Sequence, residues 1–251
     1  DVAYCLDFDF LRRLRQLVDS LKPDFFLVGE MLHGDYNQRM NDEMLNSATN
    51  YECYKGLYSS FNSMNMFEIN HSLLRQFGPE QWTLYRGKHL LSFVDNHDVT
   101  RVASILTHKK HLPLIYALMF GMPGIPCIYY GSEWGATANK SEGDPALRPS
   151  FDEPVYNGLT EFISKLSKAK INSPQLNYGD FTSVLLTNKQ CIFRRSFEGE
   201  NVYVCINADE YDFNANFELK NIQVTDLISG DIIDIGNEFN MPAYSAYFLN
   251  N

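Results

Sequence analysis

The sequence predicts an α/β unit of parallel strands with helical crossovers, followed by an antiparallel β-sandwich. Three observations carry that expectation. Short apolar runs alternate with amphipathic helical patterns up to Asn172, the alternation that parallel strands joined by crossover helices require. Several of those runs end directly on charged or amide residues instead of on turn residues, as in Leu90-Leu91-Ser92-Phe93-Val94 leading into Asp95-Asn96-His97-Asp98. After Asn172-Ser173-Pro174 the pattern changes to short β runs separated by turns such as Glu198-Gly199-Glu200-Asn201 and Ser229-Gly230-Asp231.

In chain order, apolar residues at Phe10, Leu11, Leu14, Leu17, Val18 and Leu21 predict a first helix, which Pro23 ends. Phe25 to Val28 reads as a buried strand that delivers Gly29-Glu30. From His33 to Met64 the sequence reads as loop-rich, with Asn50 to Cys53 as a weak strand. Phe67 to Phe77 is predicted helical, Leu90 to Val94 a strand, His111 to Phe120 a helix and Ile125 to Tyr130 a strand. A last amphipathic helix covers Asn157 to Lys170, before β runs at Ser183–Thr187, Cys191–Ser196, Asn201–Asn207, Phe217–Leu219 and Tyr244–Leu249. The reading divides the chain into residues 1–172 and 173–251.

Charge and composition narrow the function. With 251 residues, 45% of them hydrophobic, the chain can build a sizeable core. A formal charge of −10, from 21 basic and 31 acidic residues, disfavours a nucleic-acid partner and leaves neutral ligands open. No run approaches the roughly twenty apolar residues of a membrane span, so no membrane association is expected. The five cysteines at 5, 53, 127, 191 and 205 form no Cys-x-x-Cys pair and have no zinc-finger spacing. They read as small buried hydrophobes, which fits a reducing, cytoplasmic setting.

The cluster from Asp95 to Asp98 concentrates the chemistry. Carboxylates and an imidazole at the mouth of a buried strand must be desolvated, paired or used. Asp95 and Asp98 as caps for a helix beginning near Val99 are the alternative reading.

These residues carry a resemblance. Asp1-Val2-Ala3 looks like the end of the R-x-D-x-A segment of the α-amylase family of glycoside hydrolases. Phe26-Leu27-Val28-Gly29-Glu30 resembles its strand-five motif, and Phe93-Val94-Asp95-Asn96-His97-Asp98 its strand-seven motif. The Met122-Pro123-Gly124-Ile125-Pro126 run with Tyr129-Tyr130-Gly131 is similar to its eighth strand, and the closing β region stands where the family has its C-terminal sandwich.

The resemblance implies the second half of a (β/α)8 TIM barrel over residues 1–172 and a β-sandwich over 173–251. It implies a retaining hydrolase of α-glucosidic bonds in starch-type glucans or maltodextrins. By resemblance Asp1 is the nucleophile, Glu30 the general acid and base, and Asp98 the carboxylate that holds the substrate, with His97 at the cleavage point. Asp144 and Arg148, in Gly143-Asp144-Pro145 and Arg148-Pro149, resemble a loop that binds glucose hydroxyls. A surface ion pair is the other reading for Arg148. His33, three residues after Glu30, points toward short or cyclic glucans. Among the aromatic residues one or two of Tyr36, Tyr51 and Trp134 are expected to stack on sugar, the rest to pack.

This chemistry needs crowded carboxylates, one protonated and one ionised near neutrality, and no metal cofactor. Structural calcium, known in some relatives, stays open. Two features depart from the family pattern. Tyr4 and Cys5 stand where many members have Lys-His, and about four strands precede the sandwich where a closed barrel has eight. The expected partners are therefore an α-glucan and a missing N-terminal barrel half, with self-association as the outcome for a fragment. The competing function is a non-catalytic, amylase-like glucan-binding or scaffold subunit; the presence of all three carboxylates argues for the enzyme.

Overall fold

The computed structural model describes residues 1–251. Its first part contains helix α1 (Phe8–Leu21), strands β1 (Val28–Gly29) and β2 (Ser47–Ala48), helices α2 (Tyr51–Asn62) and α3 (Phe67–Phe77), and strand β3 (Leu91–Phe93). Helices α4 (Val102–Ile105) and α5 (His111–Gly121), strand β4 (Ile125–Cys127), and helices α6 (Asp144–Leu147), α7 (Gly158–Asn172) and α8 (Pro174–Tyr178) follow.

The strands form a parallel arc. Val28 pairs with Ser47 and Gly29 with Ala48; a parallel bridge joins Thr49 to Leu91; Leu91 pairs with Ile125 and Phe93 with Cys127. The order β1-β2-β3-β4 thus follows the sequence, as successive βα units require, and it is the second half of a TIM barrel. Each end of the arc is open: β1 pairs only with β2, and β4 only with β3. On α1 and in the segment just before β1, Phe10, Leu17, Leu21, Phe25 and Phe26 are exposed.

Local chemistry sets the helix starts. The Asp7 side chain accepts the amides of Asp9 and Phe10 to begin α1, and Asn157 accepts those of Leu159 and Thr160 to begin α7. Asn50, expected within a weak strand, instead caps α2 by accepting the Cys53 amide at 3.1 Å. The strand lies just before it, at Ser47–Ala48, and the expected loop is a twelve-residue helix. Cys53, Gly56, Leu57, Ser60 and Phe61 form its buried stripe. Small and polar members of that stripe hid the helical period. Asn50 and Gln76 then exchange reciprocal amide hydrogen bonds at 2.9 and 3.0 Å, tying α2 to α3. The strand expected from Phe25 is likewise shortened to Val28–Gly29, because Phe25 and Phe26 lie exposed before it.

The second part is a six-stranded antiparallel sheet in the order β10-β9-β12-β7-β6-β5, made of β5 (Asp180–Leu186), β6 (Gln190–Phe197), β7 (Glu200–Asn207), β9 (Ile222–Asp226), β10 (Ile232–Ile235) and β12 (Ser245–Asn250). A two-stranded ribbon of β8 (Phe213–Ala215) and β11 (Phe239–Met241) completes the sandwich. Phe217–Leu219, expected as a strand, is a connection after β8 with Phe217 and Leu219 buried; the β8 to β11 elements, three to five residues each, are too short in sequence to stand out.

Side-chain alternation on β7 shows how the sheet is buried on both faces. Val202, Val204 and Ile206 join the large core, while Tyr203 and Cys205 join a second core with Phe217, Phe239 and Met241. The large core is shared with the barrel part through α5, which is apolar around its whole circumference and buried from Leu114 to Gly121. Gly121 permits that approach: a Cβ there would lie 2.6 Å from Val204 Cγ1.

Candidate active site

Strand β1 aims Glu30 off its C-terminal end. Gly29 before it is required by crowding, since a Cβ would sit 2.5 Å from Leu45 Cδ1 and 2.8 Å from the Ala3 Cβ. The opening segment is held against Glu30 from two sides. The Val2 amide donates to Glu30 Oε2 at 2.9 Å, and the Ala3 amide donates to the Glu30 carbonyl at 3.0 Å. Val2 sits in the left-handed region at φ 42°, a costly conformation for a β-branched residue.

Asp1, Glu30 and His97 line one cavity of about 260 Å³, together with Tyr51, Asp95 and Asn96. Its apolar floor is Val28, Leu91, Phe93 and Ile128, side chains of the parallel arc. Tyr51 bridges the two strand ends. Its hydroxyl donates to Glu30 Oε1 at 3.4 Å and accepts from Asn96 Nδ2 at 3.0 Å. Burial, foremost, raises the Tyr51 pKa, so the phenol stays a neutral donor. The Phe93 ring meets it edge-on at 4.9 Å. Tyr51 is one of the three aromatics of which one or two were expected to stack on sugar; its hydroxyl bonds beside Glu30. Tyr36 stacks on Tyr85 in the core and Trp134 packs against Phe151, both away from the cavity.

The two aspartates of the strand-end cluster separate. Asp95 is buried, and its Oδ2 accepts the Val102 amide at 2.8 Å and the Ser132 hydroxyl at 2.7 Å. Asp95 thus holds the first amide of α4, which begins at Val102 and not near Val99, and whose N-cap residue, Arg101, makes no side-chain cap bond. Asp95 Oδ1 has no partner in the protein, and burial, the dominant effect, raises its pKa. Arg101, fully buried, supports the same region. Its guanidinium lies 4.1 Å from the Tyr129 ring centroid and donates to Ser132 Oγ and to the carbonyls of Tyr130 and Leu147. Asn96 belonged to the strand-end cluster without an expected role, and nothing in the sequence gave one to Arg101; their partners became legible only once the strands were aligned.

Asp98 stands outside the cavity lining. Its Oδ1 accepts from Arg148 Nη2 at 2.8 Å and its Oδ2 lies 3.1 Å from His97 Nε2. Arg148 is also 3.9 Å from Asp144, which pairs with Lys140 at 3.0 Å and has its pKa lowered chiefly by that hydrogen bond. The surface-ion-pair reading of Arg148 is thus realised, with Asp98 as the partner. His33 lies in a separate groove between the loop after β1 and helices α2 and α3, its ring 5.0 Å from that of Tyr4.

Residues 5–181 match the family model described as alpha amylase, catalytic domain. The chain belongs to this family. Curated relatives of the α-amylase family include a cyclomaltodextrinase of Thermoanaerobacter pseudethanolicus, 26% identical over 82% of the chain, and neopullulanase 2 of Thermoactinomyces vulgaris, 29% identical over 82%. In both cases the chain spans 36% of the relative's length. Among solved structures, an α-amylase from Geobacillus thermoleovorans complexed with acarbose superposes with a TM-score of 0.84 at 20% identity, covering 100% of this chain and 58% of that one. An Anoxybacillus α-amylase does so with a TM-score of 0.81 at 21% identity, covering 99% and 57%. Glu30, His97, Asp98, Asp144 and Arg148 fall inside the stretch matched to the α-amylase family model, and Asp1 just before it.

Proposed function

We propose that this chain supplies the catalytic carboxylates of a retaining glycoside hydrolase that cleaves α-glucosidic bonds of maltodextrins or related glucans. The observation that carries the reading is the pairing of Asp1 and Glu30 on one cavity, with the backbone after Asp1 hydrogen-bonded to the Glu30 carboxylate at 2.9 Å. In this reading Asp1 attacks the anomeric carbon while Glu30 protonates the leaving oxygen and later activates water. Val2 N–H and Tyr51 O–H each hold one oxygen of Glu30, fixing its plane toward the bond that breaks. His97 contacts the sugar at the cavity wall. Asp98, held by Arg148 and His97, takes sugar hydroxyls beside the cleavage point; a half-exposed ion pair is weak enough for a polyol to share its donors. The names of the relatives, cyclomaltodextrinase and neopullulanase, support a glucan of this class as substrate. Retaining cleavage by two carboxyl groups requires no metal.

The test is Glu30→Gln in the full-length protein, assayed on maltodextrin. The amide keeps the shape and loses the proton, so turnover is expected to fall by about a hundred- to ten-thousand-fold while glucan affinity stays near that of the parent. Turnover within a factor of about two of the parent would remove Glu30 from the mechanism.

A further inference from the structure

A second cavity of about 240 Å³ lies at the opposite end of β3 from the carboxylates, where the chain enters the strand and the sandwich meets the barrel part. Arg86, Lys88 and Arg195 line it, and Asp180 is the one acidic residue on its wall. This is a reversal of the surrounding charge, since the chain as a whole carries −10. None of the three cations belongs to an ion pair.

Their hydrogen bonds go to neutral oxygens. Arg195 donates to the carbonyls of Gly179 and Gly121, Lys88 to Asn37 Oδ1 and the Met40 carbonyl, and Arg86 through Nε and Nη2 to the carbonyls of Gly78 and Glu80. These neutral partners leave the charges of Arg86 and Lys88 uncancelled, with only Asp180 acting on Arg195, and Arg86 Nη1 and one N–H of Lys88, whose acceptors Asn37 and Met40 lie outside the lining, remain unspent. A fourth cation, buried Lys170, stands behind His89 in the adjoining cavity and is likewise bonded only to carbonyls. The positive field is felt locally: after burial, Lys170 and Arg195 are what hold the His89 pKa down. Gly87 and Gly124 also line the wall at φ 75° and 109°, and neither main-chain amide has an acceptor within the chain. Low-dielectric walls focus such a field, and unspent amides beside cations suit a tetrahedral oxyanion.

We propose that this cavity is a binding site for a phosphate group, distinct from the glucan-cleaving cleft. A phosphate would take Arg86 Nη1, the free Lys88 N–H and the two glycine amides as donors, and its charge would offset the unpaired cations. The volume accommodates the phosphate alone or as the ester of a small sugar.

Titration calorimetry on the full-length protein, at fixed ionic strength, decides between these sources and tests the site. Inorganic phosphate and a hexose 6-phosphate are the probes, with the neutral hexose as control. Saturable binding of phosphate is expected, with the ester tighter if a sugar phosphate is the ligand and equal if free phosphate is. Arg86→Gln and Lys88→Gln should each weaken binding about tenfold, the loss of one charge-assisted partner. Asp180→Asn, which removes the opposing charge, should tighten it; a folding defect would move affinity the other way. Absence of saturable phosphate binding, or binding unchanged across the three variants, overturns the proposal.

Discussion

The hydroxyl of Tyr51 sits between the ends of two strands, donating to Glu30 Oε1 at 3.4 Å and accepting from Asn96 at 3.0 Å. It transmits the register of β3 to the carboxylate after β1, because Asn96 is rigidly placed by the same turn in which it accepts the Asp98 amide at 2.8 Å. Tyr51→Phe keeps the ring packed on Phe93 and removes only this link. On the proposed function, turnover of the full-length protein is expected to drop about tenfold with little change in KM, since misaligning Glu30 as proton donor would affect the transition state more than binding. Equal loss in kcat and affinity, or none in either, would contradict a positioning role.

The Arg148–Asp98 pair at 2.8 Å gives a second, opposite signature. Both side chains are half-exposed, so breaking the pair should change folding stability by less than about 1 kcal/mol. Arg148→Ala is expected to raise KM for maltodextrin several-fold with a smaller effect on kcat. Asp98→Asn is expected to lower kcat more than affinity, because in the proposed role the carboxylate's hydrogen bonds to sugar hydroxyls strengthen as the ring distorts. Steady-state kinetics of the two variants side by side distinguish the roles; the reverse pattern would exchange them.

What could be read from sequence follows the strength of each local signal. Glu30 and the run from Asp95 to Asp98 were legible because charge directly after an apolar run is costly, and the strands do place those residues at one end of the arc. The separation of Asp95 from Asp98 was not legible, since it depends on Ser132 and Val102 meeting Asp95 across the fold. Helix α2 was missed because its buried stripe contains Gly56 and Ser60, which carry no hydrophobic period. The strands β9 and β10 were missed for a related reason: they are short neighbours in a hairpin, and Gln223, Thr225 and Asp234 interrupt their apolar pattern. Cys53, Cys191 and Cys205 are buried as expected, whereas Cys127 is half-buried and Cys5 exposed.

Lys170 makes stability depend on pH. It is buried with Nζ bonded to the carbonyls of Met122 and Leu176, and burial first and Arg195 second hold its pKa well below 10.5. The unfolded chain, in which this lysine titrates normally, therefore binds more protons than the folded chain between the lowered value and 10.5. Stability rises with pH through that window, and below the lowered value the charged lysine burdens the fold in full. Lys170→Met should flatten this slope while costing about 1–3 kcal/mol at high pH for two orphaned carbonyls. Urea midpoints of the full-length protein from neutral to about pH 10 measure it; identical slopes in parent and variant would refute the assignment.

The stereochemical outcome follows from Asp1 and Glu30 sharing one cavity. In the proposed mechanism Asp1 takes the face of the sugar opposite the leaving group. Two working carboxyl groups in such a space are expected roughly 5 Å apart, too close for an intervening water and close enough for a covalent glycosyl-enzyme. Attack by Asp1 in the proposed mechanism inverts the anomeric carbon once, and water activated by Glu30 inverts it again. Fresh hydrolysate from an α-linked glucan should therefore contain the α-anomer first, relaxing to the equilibrium mixture by mutarotation. Proton NMR within the first minutes resolves the two anomeric signals. Appearance of the β-anomer first would mean that water, not Asp1, attacks the sugar, and the roles assigned to Asp1 and Glu30 would both have to be abandoned.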